Sequence, residues 1–280
     1  MAALIPALHP ATIAPAGRLT DYLDVARDAG FKAADFAMPA ALELATTSGP
    51  EGVAAAFASR GLAAGGWGAG VRLTGPDSDA VAALAKLPRM AEIAAAARAS
   101  AALLVVPNRT ELTPADAWRQ FAERTVQVAD VLANWGLTVG LEFIGPNLWP
   151  ALPHLLFNDI RGTLELADRT GRANVGVLFD TYHFHCGASR IEDIRAATGR
   201  ITHVHLNDAP PGDPRTFDDS MRRLPGEGVI DLARVVRELE AVGYRGPAGV
   251  EIFNPELKAL SAAQGAARVA AACRTAFGAL

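Results

Sequence analysis

The sequence predicts an α/β protein, a single (β/α)8 TIM barrel over residues 1–280, and three observations carry that expectation. Short apolar runs alternate with longer amphipathic segments from end to end, the pattern of parallel strands joined by helical crossovers. Eight strand–helix units can be counted, which favours closure of the sheet over an open doubly wound arrangement. The 280 residues suit one closed barrel, and a 50% hydrophobic content supplies its core.

The elements follow in order. Strand one falls near 3–8; the apolar stretch from Met1 to Pro15 has no Lys or Arg ahead of it and is broken by Pro6 and Pro10, so it reads as a strand rather than a signal peptide. A helix near 17–29 stops at Gly30, a strand follows near 32–37, and a second helix near 50–60. Strand three, near 62–68, runs into Gly65-Gly66-Trp67-Gly68-Ala69-Gly70, a tight barrel strand and turn rather than a nucleotide-binding glycine fingerprint. The helix near 78–99 is alanine-rich toward its end, but Glu92 and Arg98 exclude a membrane span. After a strand near 101–107, Thr113-Pro114-Ala115-Asp116 supplies a cap, a proline at the first helical position and an acid in the first turn for a helix near 114–135. Strands near 137–143, 174–180, 201–207 and 247–253 alternate with helices near 159–170, 190–198, 231–242 and 256–277; Gly171 closes the first of these helices, and Asp231 and Gly243 bracket the third.

Composition narrows the function classes. A formal net charge of -4, evenly mixed, leaves no electrostatic footprint for nucleic acid or an anionic membrane. Two distant cysteines, Cys186 and Cys273, match neither a disulfide scaffold nor a metal-type spacing, so a cytoplasmic protein is expected. No Gly/Ser-rich linker or charge block divides the chain.

Two connections are long. The segment from Gly145 to Asn158 holds Trp149 and His154, and the segment from Asp208 to Ile230 is longer still. Both follow strands, so both belong at the barrel's C-terminal mouth, where lids and binding loops gather.

The last four strands each end in an ionisable residue. They read Leu137-Thr138-Val139-Gly140-Leu141-Glu142, Val175-Gly176-Val177-Leu178-Phe179-Asp180, Ile201-Thr202-His203-Val204-His205 and Ala248-Gly249-Val250-Glu251. One carboxylate in an apolar strand is costly to bury. Three carboxylates and an imidazole converging on one level repel one another unless a cation sits among them. Glu142, Asp180, His205 and Glu251 are therefore the expected ligands of one divalent metal ion, with Mn²⁺, Mg²⁺ or Co²⁺ suited to the set and Zn²⁺ also able to serve. His203 shares a face with His205, one layer deeper, as a packed or hydrogen-bonding histidine. His183, three residues past Asp180, is a candidate substrate contact; His185, Trp149 and His154 are weaker ones, Trp67 is a candidate pocket wall, and His9 is read as structural or as a wall of the pocket.

Gly140-Leu141-Glu142, Asp180-Thr181-Tyr182-His183, His203-Val204-His205-Leu206-Asn207-Asp208 and Gly249-Val250-Glu251 together resemble the sugar phosphate isomerase/epimerase family. This is the xylose isomerase-like TIM barrel group with ketose 3-epimerases, inosose isomerases and 2-keto-myo-inositol dehydratases among its members. Arg222-Arg223-Leu224-Pro225-Gly226-Glu227-Gly228 resembles the loop after strand seven in inosose-type members. The resemblance implies the same four metal ligands, Glu142 and Glu251 as the catalytic acid/base pair, His183 as a substrate-binding residue, and a homodimer or homotetramer. One position departs: where ketose 3-epimerases carry an arginine six residues past the ligand histidine, this chain has Pro211, and Arg215, Arg222 or Arg223 would have to stand in.

The expected reaction is isomerisation or epimerisation of a small keto-sugar or inosose, by proton abstraction next to a carbonyl through an enediolate. Expulsion of a β-hydroxyl from the same intermediate would make the site a dehydratase of a keto-inositol-type substrate. A non-catalytic barrel that binds a sugar or a metal is the reading from a different class. The sequence shows no dense Arg/Lys cluster calling for a phosphate, so an unphosphorylated sugar or polyol is favoured. An abasic-site endonuclease would need more ligands and a basic track. A Schiff-base aldolase would need a strand-end lysine, and Lys32, Lys86 and Lys258 fall elsewhere.

Overall fold

Parallel pairing of the apolar runs sets the architecture. A computed structural model describes residues 4–146 and 152–278. The strands are β1 (Leu4–Leu8), β2 (Ala33–Ala34), β3 (Ala63–Ala64), β4 (Trp67–Gly68), β5 (Ala102–Val106), β6 (Arg109–Thr110), β7 (Val139–Phe143), β8 (His154–Leu155), β9 (Val175–Asp180), β10 (Ile201–Leu206) and β11 (Gly246–Val250). The helices are α1 (Leu19–Ala29), α2 (Met38–Ala58), α3 (Asp77–Leu84), α4 (Leu87–Ala96), α5 (Pro114–Ala133), α6 (Ile160–Thr170), α7 (Thr181–Cys186), α8 (Leu232–Ala241), α9 (Pro255–Lys258) and α10 (Ala262–Phe277).

Nine strands form one parallel sheet in the order β3-β2-β1-β11-β10-β9-β7-β5-β4. Its two end strands are halves of one run, 63–68, interrupted at Gly65-Gly66. Phe36 N–H donates to the Gly66 carbonyl and Ser100 N–H to the Gly65 carbonyl, so the interrupted run is bonded on both sides and the sheet closes as an eight-staved barrel. The interruption has a steric cause. A Cβ on Gly65 would lie 2.0 Å from Asp35 Oδ1, and one on Gly66 would lie 2.8 Å from the His203 ring.

All residues of β7 and β9 are buried, as strands covered on both faces should be. Thr113 caps α5 by accepting from Asp116 N–H, Asp231 caps α8 by accepting from Arg234 N–H, and Gly30 and Gly171 end α1 and α6 in the left-handed region.

Several expected elements differ. The helix expected over 50–60 begins at Met38 and breaks at Gly49, where φ is +68° and Pro50 starts a fresh stretch. The helix expected over 78–99 is two, because Pro88 lacks an N–H and sits in the first turn of α4. The segment 190–198 winds as a 3-10 helix, Ile191–Ala197. The helix expected over 256–277 divides at Ser261, whose hydroxyl and Gln264 form a capping box. The long connection after β7 contains β8, which pairs antiparallel with β6. Trp149 lies outside the described residues. Among the described residues no helix is long and apolar enough to cross a membrane.

Candidate metal centre at the barrel mouth

Register brings the strand ends to one level. Val105 pairs with Glu142 across β5 and β7, and His205 pairs with Asp180 and with Gly249 across β9, β10 and β11. The ligand atoms of Glu142, Asp180, His205 and Glu251 all lie within 4.8 Å of one another. His205 Nδ1 stands 3.3 Å from Glu142 Oε1, 3.3 Å from Glu251 Oε2 and 3.8 Å from Asp180 Oδ2. One nitrogen thus faces three carboxylates.

Two of the carboxylates are held from behind. Asp180 Oδ1 accepts from Tyr182 and His183 N–H at the start of α7, and Oδ2 accepts from Asn207 Nδ2 at 2.9 Å. Thr181 Oγ1 donates to the Asn207 carbonyl, locking that partner in place. Glu251 Oε1 lies 3.5 Å from His9 Nε2.

Arg222 enters from the loop after β10. Its Nη1 donates to Asp180 Oδ2 at 2.8 Å and Glu251 Oε2 at 2.9 Å; Nη2 donates to His183 Nε2 at 3.0 Å and Asp219 Oδ1 at 2.9 Å. The guanidinium is buried between the rings of Tyr182 and Phe253. An arginine has no acceptor, so His183 Nε2 presents its lone pair and Nδ1, buried and without a partner, carries the proton.

Electrostatics follow this packing. Burial would raise the Asp180 carboxyl, but Arg222 first and His205 after it outweigh burial and hold the group below its ordinary value. Burial opposes ionisation of Glu251 too, and His205, His9 and Arg222 hold it well below. Burial would lower His205, yet Glu251 and Glu142 push it well above its ordinary value. These are the signs of a site with surplus negative charge. With His205 neutral, as a ligand imidazole is, the Glu142, Asp180 and Glu251 carboxylates against the Arg222 guanidinium leave two negative charges, which one dication would neutralise. The donor set fits such an ion: three oxygens and one imidazole nitrogen converge, and the carboxylates keep lone pairs beyond those used by Arg222.

The remaining candidates are sorted by their positions. His183 reaches within 4.0 Å of Glu142. Of the three candidate arginines, Arg222 alone is in the cluster: Arg215 is exposed and paired with Asp213, while Arg223 is exposed, its backbone bridged to Asp208. Trp67 does not line the mouth. Gly66 faces His203 inside the barrel, and alternation turns Trp67 outward into the core under the helices. His154 stands half-buried on β8, outside the cluster, and His185 stacks on Phe217. A cavity of about 810 Å³ is lined by Gly68, Gly70, Val105, Asn108, Thr110 and Gln120 among others, and by none of the four cluster residues. Its wall begins one stave from Glu142, at Val105.

Sequence reasoning missed Asp35. It is fully buried in the barrel with His203 Nε2 at 3.2 Å, and with His9 and His205 it forms a second grouping of ligand-type atoms. The signal was present: Asp35 is an isolated acid in the apolar run 32–37, the same criterion applied to the last four strands.

Fold and site together define a closed parallel barrel with a carboxylate–imidazole cluster at the C-terminal ends of four adjacent staves. The chain belongs to the xylose isomerase-like TIM barrel family, whose model matches residues 23–274. It is similar to the inosose isomerase of Bacillus velezensis, 31% identical over 142 residues that cover 50% of this chain and 49% of that one. The chain spans about half the length of the curated relatives it matches. Among solved structures, a xylose isomerase domain protein from Alicyclobacillus acidocaldarius superposes with a TM-score of 0.89 at 27% identity, covering 98% of each chain. The IOLI protein with a binding zinc atom superposes at 0.81 with 21% identity, covering 98% of this chain and 99% of that one, a likeness of fold.

Proposed function

We propose that this protein is a divalent-metal-dependent isomerase or epimerase of a small, unphosphorylated keto-sugar or inosose. The observation that carries this reading is the convergence of Glu142, Asp180, His205 and Glu251 within 4.8 Å at the barrel mouth. Those four residues would hold the ion, His205 through Nδ1. A bound Mn²⁺, Mg²⁺, Co²⁺ or Zn²⁺ supplies Lewis-acid polarisation of a substrate carbonyl.

The chain's own groups supply the proton chemistry. Glu142 is the penultimate residue of β7 and Glu251 directly follows β11, with β9 and β10 between them, so the two carboxylates flank the cluster. One, as the carboxylate, removes the proton next to the carbonyl and becomes the acid; the other, protonated from solvent beforehand, returns a proton at the opposite face or at the neighbouring carbon, and the pair resets by proton exchange with solvent. His183, held by Arg222 with its ring toward Glu142, contacts a substrate hydroxyl. Arg222 is immobilised by four partners and keeps Asp180 and Glu251 ionised. The identified similarity to an inosose isomerase supports the substrate class.

Proton NMR in D₂O, with a panel of ketoses and inososes and metal-loaded protein, tests the reading. Metal-dependent loss of the signal from the proton next to the carbonyl is expected. Glu142→Gln should abolish that exchange and leave the fold intact. Exchange retained in the variant would remove Glu142 from the acid/base pair, and no exchange with any panel member would count against an enolising enzyme of this substrate class.

A further inference from the structure

The far nitrogen of His205 raises a separate question. Nδ1 faces the three carboxylates, while Nε2 is buried and has no hydrogen-bond partner. The acceptor it faces is Asp35 Oδ2, 3.8 Å away. The flanking rings of His9 and His203 stand edge-on to His205, with centroids 5.2 Å and 5.3 Å away.

The barrel clears unusual space for Asp35. A Cβ on Gly249 would lie 1.8 Å from Asp35 Oδ2, and one on Gly65 would lie 2.0 Å from Oδ1. Barrel interiors are ordinarily filled by branched side chains, yet here staves β3 and β11 give up theirs around one buried acid. The acid is firmly oriented. Gly66 N–H donates to Oδ1 at 2.6 Å, and His203 Nε2 lies 3.2 Å from Oδ2. Ser100 Oγ lies 3.1 Å from His203 Nδ1, so a line of side chains runs from Ser100 through His203 to Asp35 and ends at His205.

We propose that Asp35 is a positioning residue that sets the tautomer of His205: its carboxylate holds the proton on Nε2, so that Nδ1 offers its lone pair to the metal. This rests on the metal-centre reading above. Ligation through one imidazole nitrogen leaves the other as a donor, and a carboxylate behind it fixes the ring and raises its basicity. The alternative, a second ion held by His9, Asp35 and His205, fits less well. His9 Nδ1 accepts from Ala11 N–H at 3.2 Å, which leaves its Nε2 as an N–H pointing toward Glu251.

The test uses isotope-labelled protein with zinc as the probe. Long-range proton–nitrogen correlation spectra of the wild type report which His205 nitrogen is protonated, and competition titration gives zinc affinity for the wild type and for Asp35→Asn. Asparagine presents an N–H where His203 and His205 need an acceptor. The expected result is an Nε2–H tautomer in the zinc-loaded wild type and zinc binding about 10–100-fold weaker in the variant. A wild-type His205 bound through Nε2, with the proton on Nδ1, overturns the proposal, and that measurement stands even where the variant does not fold. Wild-type affinity in a folded Asp35→Asn with an unchanged tautomer overturns it as well. A wild type that binds no zinc sinks the metal-centre reading and this proposal together, whereas tight binding with the wrong tautomer sinks this proposal alone.

Discussion

Replacing Arg222 by methionine tests the charge balance of the centre directly. The substitution keeps an apolar stem between Tyr182 and Phe253 and removes the guanidinium. Asp180 then loses a bond of 2.8 Å and Glu251 one of 2.9 Å, both in the barrel interior. Breaking a buried ion pair by removing one partner costs about 3–5 kcal/mol. Asp180 keeps its bonds from Tyr182, His183 and Asn207, which shield the orphaned charge and favour the lower end of that range. A loss of about 3 kcal/mol lowers the melting temperature of a domain this size by roughly 6 °C. Thermal unfolding of metal-free protein near neutral pH is the assay. Saturating Mn²⁺ or Zn²⁺ should narrow the gap, because a dication takes over the neutralisation of Asp180 and Glu251. A metal-free variant melting within about 2 °C of wild type, or a gap unchanged by metal, would refute the argument.

Three further outcomes are expected. Asp180 and Glu251 are held below their ordinary values of 3.8 and 4.5, burial being outweighed by Arg222 and His205, so their stabilisation is present above those values and is lost as pH falls through the folded ones. His205 is held above 6.5, burial being outweighed by Glu251 and Glu142, so its contribution is full below 6.5 and is lost as pH rises through the folded value. The metal-free centre therefore contributes most between about pH 4.5 and 6.5. Because a ligand imidazole must give up its proton, metal affinity should climb by about tenfold per pH unit until His205 is neutral; calorimetry in buffers of differing ionisation enthalpy counts the proton released, and a count of zero contradicts the assignment. Asp208 accepts from Ala209, Gly226, Gly228 and Ile230 N–H at 2.8–3.1 Å and so ties together the loop that delivers Arg222. Asp208→Ala should cost about 2–4 kcal/mol and open 209–230 to protease, and unchanged protection there would show that the loop is held by other contacts.

The sequence by itself determined the barrel's staves and marked the four ionisable residues that converge at its mouth. Those signals are local: an apolar run of strand length, a glycine or a capping acid at its boundary, and an ionisable group that such a run cannot bury alone. Glu142, Asp180, His205 and Glu251 each broke the pattern of their own strand, so no knowledge of distant residues was needed to mark them. Only the tertiary structure decided which of Arg215, Arg222 and Arg223 enters the centre, that Trp67 faces the core rather than the cavity, and that β8 pairs with β6. Each of these depends on register between segments far apart in the chain and on which side of a stave faces inward. Asp35 shows the boundary between the two. Its oddity was visible in the run 32–37, but its place behind His205 exists only because Gly65 and Gly249, on two other staves, leave the space it occupies.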